Sequence, residues 1–153
     1  MLVTILDSVR EDVQAFGREL TTKYFRDEDG PALMAKLAEH PSTAVQLYTT
    51  NYLTRFAKDA PGKLEAMLPY FTSVLSRVNR GRVAKQRVLG FLESEGVKNP
   101  ESARAVISVL HRVSATMAVE LLAAAIGSMM AIKNAQPSVE VPFKIKRPEL
   151  RAG

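Results

Sequence analysis

The sequence predicts an all-α fold, and three observations carry that expectation. Apolar residues recur at spacings of three and four through segment after segment, which is the pattern of one buried helix face. Small clusters of Gly, Pro, Asn, Asp and Ser separate these segments and leave only short loops between them. No segment among them reads convincingly as a strand, so seven helices have to bury their faces against one another.

Leu6, Val9, Val13, Phe16, Leu20 and Tyr24 predict a first helix over 6–26, with Ser8 and Glu11 spaced as a capping box. Asp27-Glu28-Asp29-Gly30-Pro31 reads as a turn. A short helix from Ala32 to Glu39 follows, with Leu33, Met34 and Leu37 on one side, and His40-Pro41-Ser42 breaks it. Thr43 and Gln46 are again spaced as a capping box, opening a helix to about Lys58 whose stripe is Val45, Leu47, Tyr48, Tyr52, Leu53 and Phe56. In Asp59-Ala60-Pro61 an acid just ahead of a proline suits a helix start. The helix it opens carries Leu64, Met67, Leu68, Phe71, Leu75 and Val78, and Pro69 inside it removes a backbone donor and bends the axis.

After the turn Asn79-Arg80-Gly81, a helix from Arg82 to Glu95 gathers Ala84, Val88, Leu89, Phe91 and Leu92, and Gly96 is expected to stop it as a left-handed cap. Asn99-Pro100-Glu101 unites an N-cap, a first-turn proline and a first-turn acid ahead of the face Val106, Ile107, Leu110, Val113. Ser114-Ala115-Thr116 then breaks the chain before an apolar helix to about Asn134.

Residues 113–132 carry one charge, Glu120, and are long enough to span a bilayer. Ser114, Thr116, Glu120 and Ser128 interrupt the stretch, and a central carboxylate costs about 2.5–3.5 kcal/mol on insertion. The expectation is therefore a helix surrounded by protein on all sides, with Met117, Met129 and Met130 as filler. Ala123, Ala124, Ala125, Gly127 and Ala131 let another helix approach closely, from this chain or from a second subunit.

The helices pair over 31–58, 61–96 and 99–134, in units whose length suits helical solenoids. Within 31–134, His40-Pro41-Ser42-Thr43-Ala44-Val45-Gln46 with Thr49 and Leu53 resembles the loop and second helix of a HEAT/armadillo-type repeat. Val45, Thr49 and Leu53 fall where that family places apolar or small residues, Pro69 resembles its first-helix kink, and Gln46 stands where an arginine is common. The resemblance implies a short α-solenoid of about three helical hairpins. The 6–26 helix would cap its N-terminal end.

The expected organisation is one helical domain over 1–134 and an extended basic arm over 135–153. At 153 residues a single core can bury roughly 70% of the unfolded surface. Cysteine is absent, so disulfides and thiolate metal sites play no part, and a reducing compartment is compatible. The first residues lack the charged and apolar regions of a signal peptide, so the expected location is cytoplasmic. In the arm, Val139, Val141, Phe143 and Ile145 alternate with polar residues while Pro142 and Pro148 rule out a central strand. These four are candidate docking residues, laid on the last helix or on a partner.

The net charge of +5 is concentrated. Arg77, Arg80, Arg82, Lys85 and Arg87 lie within 77–87 without an acid among them, Lys144, Lys146 and Arg147 make the arm basic, and the rest of the chain is net acidic. These eight cations are the candidate contacts for an acidic protein partner or for nucleic-acid phosphates. On a helical wheel, Lys85 and Arg87 flank the apolar stripe on opposite sides and Arg82 lies away from it, with no aromatic residue interleaved for base stacking. His40 and His111 belong to different units and read as a turn residue and a solvated helix-end residue. No glycine-rich phosphate loop or nucleophile elbow occurs, so neither a cofactor nor a metal nor a catalytic residue is expected. The functional expectation is a non-enzymatic scaffold that binds a protein partner, with nucleic-acid binding through 77–87 as the alternative.

Overall fold

The computed structural model describes Ala15, Gly17 and Glu19 together with residues 29–78 and 80–144. Among these residues the chain is all-helical, without a strand, and its helices are α1 (Gly30–Ala38), α2 (Thr43–Ala57), α3 (Pro61–Ala66), α4 (Leu68–Leu75), α5 (Arg82–Gly96), α6 (Pro100–Ser114) and α7 (Val119–Ala135). The expected N-terminal capping helix over 6–26 lies outside the described residues except for Ala15, Gly17 and Glu19, which are helical, with Gly17 buried.

Pro69 divides the predicted 61–78 helix into two. With no N–H at Pro69, the chain tightens at Met67, whose N–H turns to Leu64 O at 3.1 Å, and α4 begins anew at Leu68. Helix α1 contacts α2 and α4; α3 and α4 contact α6; α2 contacts α5; and α5 contacts both α6 and α7. One continuous core runs through these contacts, from Met34 in α1 through Phe71, Leu92 and Leu110 to Ile132 in α7 and Val139 beyond it. Leu37 and Val45, with Leu33, form a small separate cluster that closes the α1–α2 hairpin.

The cap at Asn99 is as expected: its Oδ1 accepts the Ser102 N–H at 2.8 Å, with Pro100 and Glu101 in the first turn. Three other local expectations are corrected. Gln46 forms no capping box with Thr43; its Nε2 donates to His40 O at 2.7 Å, while the Ser42 N–H donates to His40 Nδ1 at 3.0 Å, so the buried His40 ring organises the α1–α2 turn. Asp59 does not cap α3, since Ala60 holds that position. Asp59 adopts φ +56°, and its N–H donates to Glu95 Oε2 at 2.9 Å. Gly96 is not left-handed either: it lies inside α5, whose cap, Val97, has φ −79°. The need for glycine there is steric, because a Cβ would sit 2.5 Å from Ile132 Cδ1 where α5 crosses α7.

The apolar helix is also not surrounded. Helix α7 buries Leu121, Ala125, Ser128, Met129 and Ile132, yet Val119 is 81% exposed, Ile126 44% and Met130 39%. Ala123, Ala124 and Gly127 are exposed beside them, and a Cβ on Gly127 would meet nothing within 4 Å. Helix α7 therefore has one face in the core and an apolar face uncovered. No helix of the described residues is long and apolar enough to cross a membrane.

Candidate interaction grooves around the α5 turn

The five cations of 77–87 do not share one surface, and the reason is local geometry. The segment spans the end of α4, a turn and the first turns of α5, so successive side chains leave in different directions. Gly81 makes the turn with φ +67° and ψ 34°, a left-handed conformation that costs glycine little. Arg77, before it, is half-buried and lines a cleft with Glu39, Ser73 and Ser76. Arg87 points to α2, where its Nη1 donates to Asn51 Oδ1 at 3.2 Å and to Thr50 Oγ1 at 3.4 Å. Lys85 points to the opposite side, as the wheel predicted. Its Nζ is buried against α7 and donates to Glu120 Oε1 at 2.9 Å.

Arg80 and Arg82 remain. Both are exposed, and neither forms an ion pair or side-chain hydrogen bond among the described residues. They stand between two grooves. The first, about 420 Å³, runs between the start of α2 and the start of α5 and is lined by Pro41, Thr43, Gln46, Leu47 and Val83 besides the two arginines. The second, about 480 Å³, lies between α5 and α7, with Leu89, Leu121 and Ala124 as its apolar part and Lys85, Gln86 and Glu120 as further polar lining. The start of α5 adds to the positive potential there. No side chain caps it and no acid occupies its first turn, so its free N–H groups and the helix dipole act in the same sense as the arginines.

Beneath this turn a cavity of about 10 Å³ is bordered by Gln46, Tyr70, Arg77 and Gly81. The Tyr70 hydroxyl is fully buried without a hydrogen-bond partner among the described residues, and burial pushes the phenol above its ordinary pKa.

No known family, no curated protein and no solved structure matches this chain. The HEAT/armadillo resemblance therefore rests on the residues quoted for it.

The arm is docked as far as the structure describes it. Val139 is buried in the main core, Val141 and Phe143 are partly buried against it, and Lys133 Nζ donates to Pro137 O at 2.6 Å and Val139 O at 2.7 Å. Gln136 Nε2 donates to Val97 O at 3.0 Å, tying the start of the arm to the end of α5. Lys144 is exposed, while Ile145, Lys146 and Arg147 lie outside the described residues. His111 is exposed near the end of α6, and among the described residues no three His, Asp or Glu side chains gather as a metal site would require.

Sequence reasoning missed Glu120, Gln86, Leu89, Leu121 and Ala124 as groove residues. Glu120 did leave a signal: it is the single charge in an otherwise apolar stretch, and such a charge needs a partner.

Proposed function

We propose that this chain is a non-enzymatic helical-repeat protein acting as an interaction scaffold, with the cytoplasm as its proposed setting. Three hairpins, α1/α2, α3–α4/α5 and α6/α7, would stack as a short solenoid. Two sets of contacts support this stacking: α1 with α4 and α3 and α4 with α6 in one layer, and α2 with α5 and α5 with α7 in the other. The observation that carries the binding role is the pair of grooves meeting at Arg80 and Arg82, two guanidiniums unpaired among the described residues and set beside accessible apolar surface. Such a junction offers a partner both charge recognition and apolar contact.

The test is a quantitative pull-down in which the full chain saturates the bait. A stoichiometric protein partner is expected, and its absence at saturation overturns the scaffold reading. The same two arginines support nucleic acid as a second reading. That reading requires DNA or RNA binding that weakens steeply between two salt concentrations and is lost in the Arg80→Ala, Arg82→Ala double variant.

A further inference from the structure

We infer that the α5–α7 groove takes an acidic, amphipathic segment of a partner protein, its carboxylates meeting Arg80 and Arg82 while an apolar side chain seats against Leu89, Leu121 and Ala124. This deepens the scaffold reading and rests on it for the existence of a protein partner.

The size comes first. A volume of about 480 Å³ lies within the roughly 300–1,000 Å³ of small binding pockets. It admits protruding side chains, while a partner helix about 10–12 Å across stays outside it.

The chemistry divides by depth. Leu89 and Leu121 are nearly buried, with exposures of 7% and 9%, and Ala124 is exposed, so apolar surface waits beneath the arginines. Guanidinium groups bind carboxylates through two parallel N–H···O bonds, and Arg80 and Arg82 have their donors unspent among the described residues. The uncapped start of α5 favours negative charge at the same place.

The groove's inner charges select against a nucleic acid. Lys85 is already committed to Glu120, so its ammonium is not free to neutralise a run of phosphates. Arg77 and Arg87 face other surfaces, so only two cations in the turn are left to offer phosphates, and no aromatic ring lines the groove for base stacking. A carboxylate-bearing segment with an intervening leucine matches both parts of the surface.

The probe is a short, acetylated and amidated helical peptide with glutamates flanking leucines, titrated into the isotopically labelled full chain. Parallel titrations use versions with Gln for Glu or Ala for Leu, and a short single-stranded oligonucleotide. Saturable binding is expected, with shifts at Leu89, Leu121 and Ala124, and each peptide replacement is expected to weaken it by roughly tenfold. The double variant Arg80→Glu, Arg82→Glu should weaken binding by at least that factor.

Ala124→Arg provides the sharper discrimination. It adds a cation while filling the groove, so seating of the leucine predicts weaker binding, whereas undirected charge attraction predicts tighter binding. The inference is overturned by tighter binding to Ala124→Arg, by indifference to the loss of leucine, by no peptide binding, or by binding of the oligonucleotide alone. It is equally overturned by a concentration-dependent dimer of the chain that Arg80→Glu with Arg82→Glu dissolves, which would make a second copy the occupant. A partner recovered in the pull-down while the peptide fails would leave the scaffold reading standing and this groove assignment refuted.

Discussion

The two ends of α5 each bury a charge of the sign that the helix dipole disfavours there, and they manage it differently. Lys85 lies in the first turn, where an anion would be favoured, and Glu95 lies in the last, where a cation would be. Each is 3% exposed. At the C-terminal end, both Glu95 oxygens are used: Oε2 accepts the Asp59 N–H at 2.9 Å, and Oε1 accepts Lys98 Nζ, which also donates to Asp59 Oδ1 at 2.7 Å. The α2–α3 turn, the α5–α6 turn and α5 are thereby locked together. At the N-terminal end, Glu120, a residue 42% exposed, is the one ion-pair partner of Lys85 among the described residues, and Arg80 and Arg82 beside it are unpaired among them. The comparison teaches that the closed end ties two turns to α5, while the open end leaves Arg80 and Arg82 without a partner among the described residues.

The largest effect is expected at the open end. Glu120→Ala strands a buried ammonium, and breaking one side of a buried pair costs about 3 kcal/mol, the low end of the usual range because the lost carboxylate is half in water. Adding Lys85→Met to that variant removes the stranded charge and should recover most of the loss in urea unfolding. If Glu120→Ala unfolds at the wild-type urea concentration, Lys85 does not depend on Glu120 and the contrast between the ends disappears.

A smaller loss is expected at the closed end from Gly96→Ala. The new methyl would overlap Ile132 Cδ1 and Cγ1, at 2.5 and 2.7 Å, and Ile132 is fully buried, so relief requires the Ile132 side chain to shift in a packed core or α5 and α7 to separate slightly. Overpacking of this kind costs about 1–3 kcal/mol. Ile132→Val in the same chain should return part of it, read again from urea midpoints. An unchanged midpoint for Gly96→Ala would mean that the two helices are not in close contact there.

These residues also show what was legible in the sequence. The Asn99 cap could be read because all its signals are adjacent: the side-chain acceptor, the proline and the acid fall within three positions. Gly96 was misread because a glycine at a helix end serves a left-handed cap or a close approach equally well, and Ile132, distant in sequence, decides between them. Asp59 was misread for the same kind of reason, since Glu95 and Lys98 compete successfully for it against the start of α3. In α7 the apolar residues run all round the helix, so periodicity carried no information about which side the core would cover. At the candidate site, the cluster of cations was plain in sequence, but a turn in its midst sends Arg77, Lys85 and Arg87 to separate neighbours. Only Arg80 and Arg82 share both grooves.

The smallest effect sharpens the closed end and is read from pH. The Lys98 ammonium, through its hydrogen bond, holds the Asp59 carboxyl below its ordinary value of 3.8, and that same bond to Asp59, with Glu95 adding to it, raises Lys98 above its ordinary 10.5. Because the folded Asp59 pKa is depressed, its contribution is full above the unfolded value and disappears as pH falls through the folded one. Because the folded Lys98 pKa is raised, its contribution is full below the unfolded value and disappears as pH rises through the folded one. The pair therefore stabilises across the neutral range, and modestly, because both groups face solvent. Asp59→Asn keeps the backbone N–H for Glu95, and asparagine tolerates the left-handed conformation, so the substitution removes the charge with little change of geometry. Thermal unfolding of wild type and variant should differ slightly at neutral pH and converge in acid. A difference that persists once Asp59 is protonated in the folded protein would show that the variant has lost something other than this ion pair.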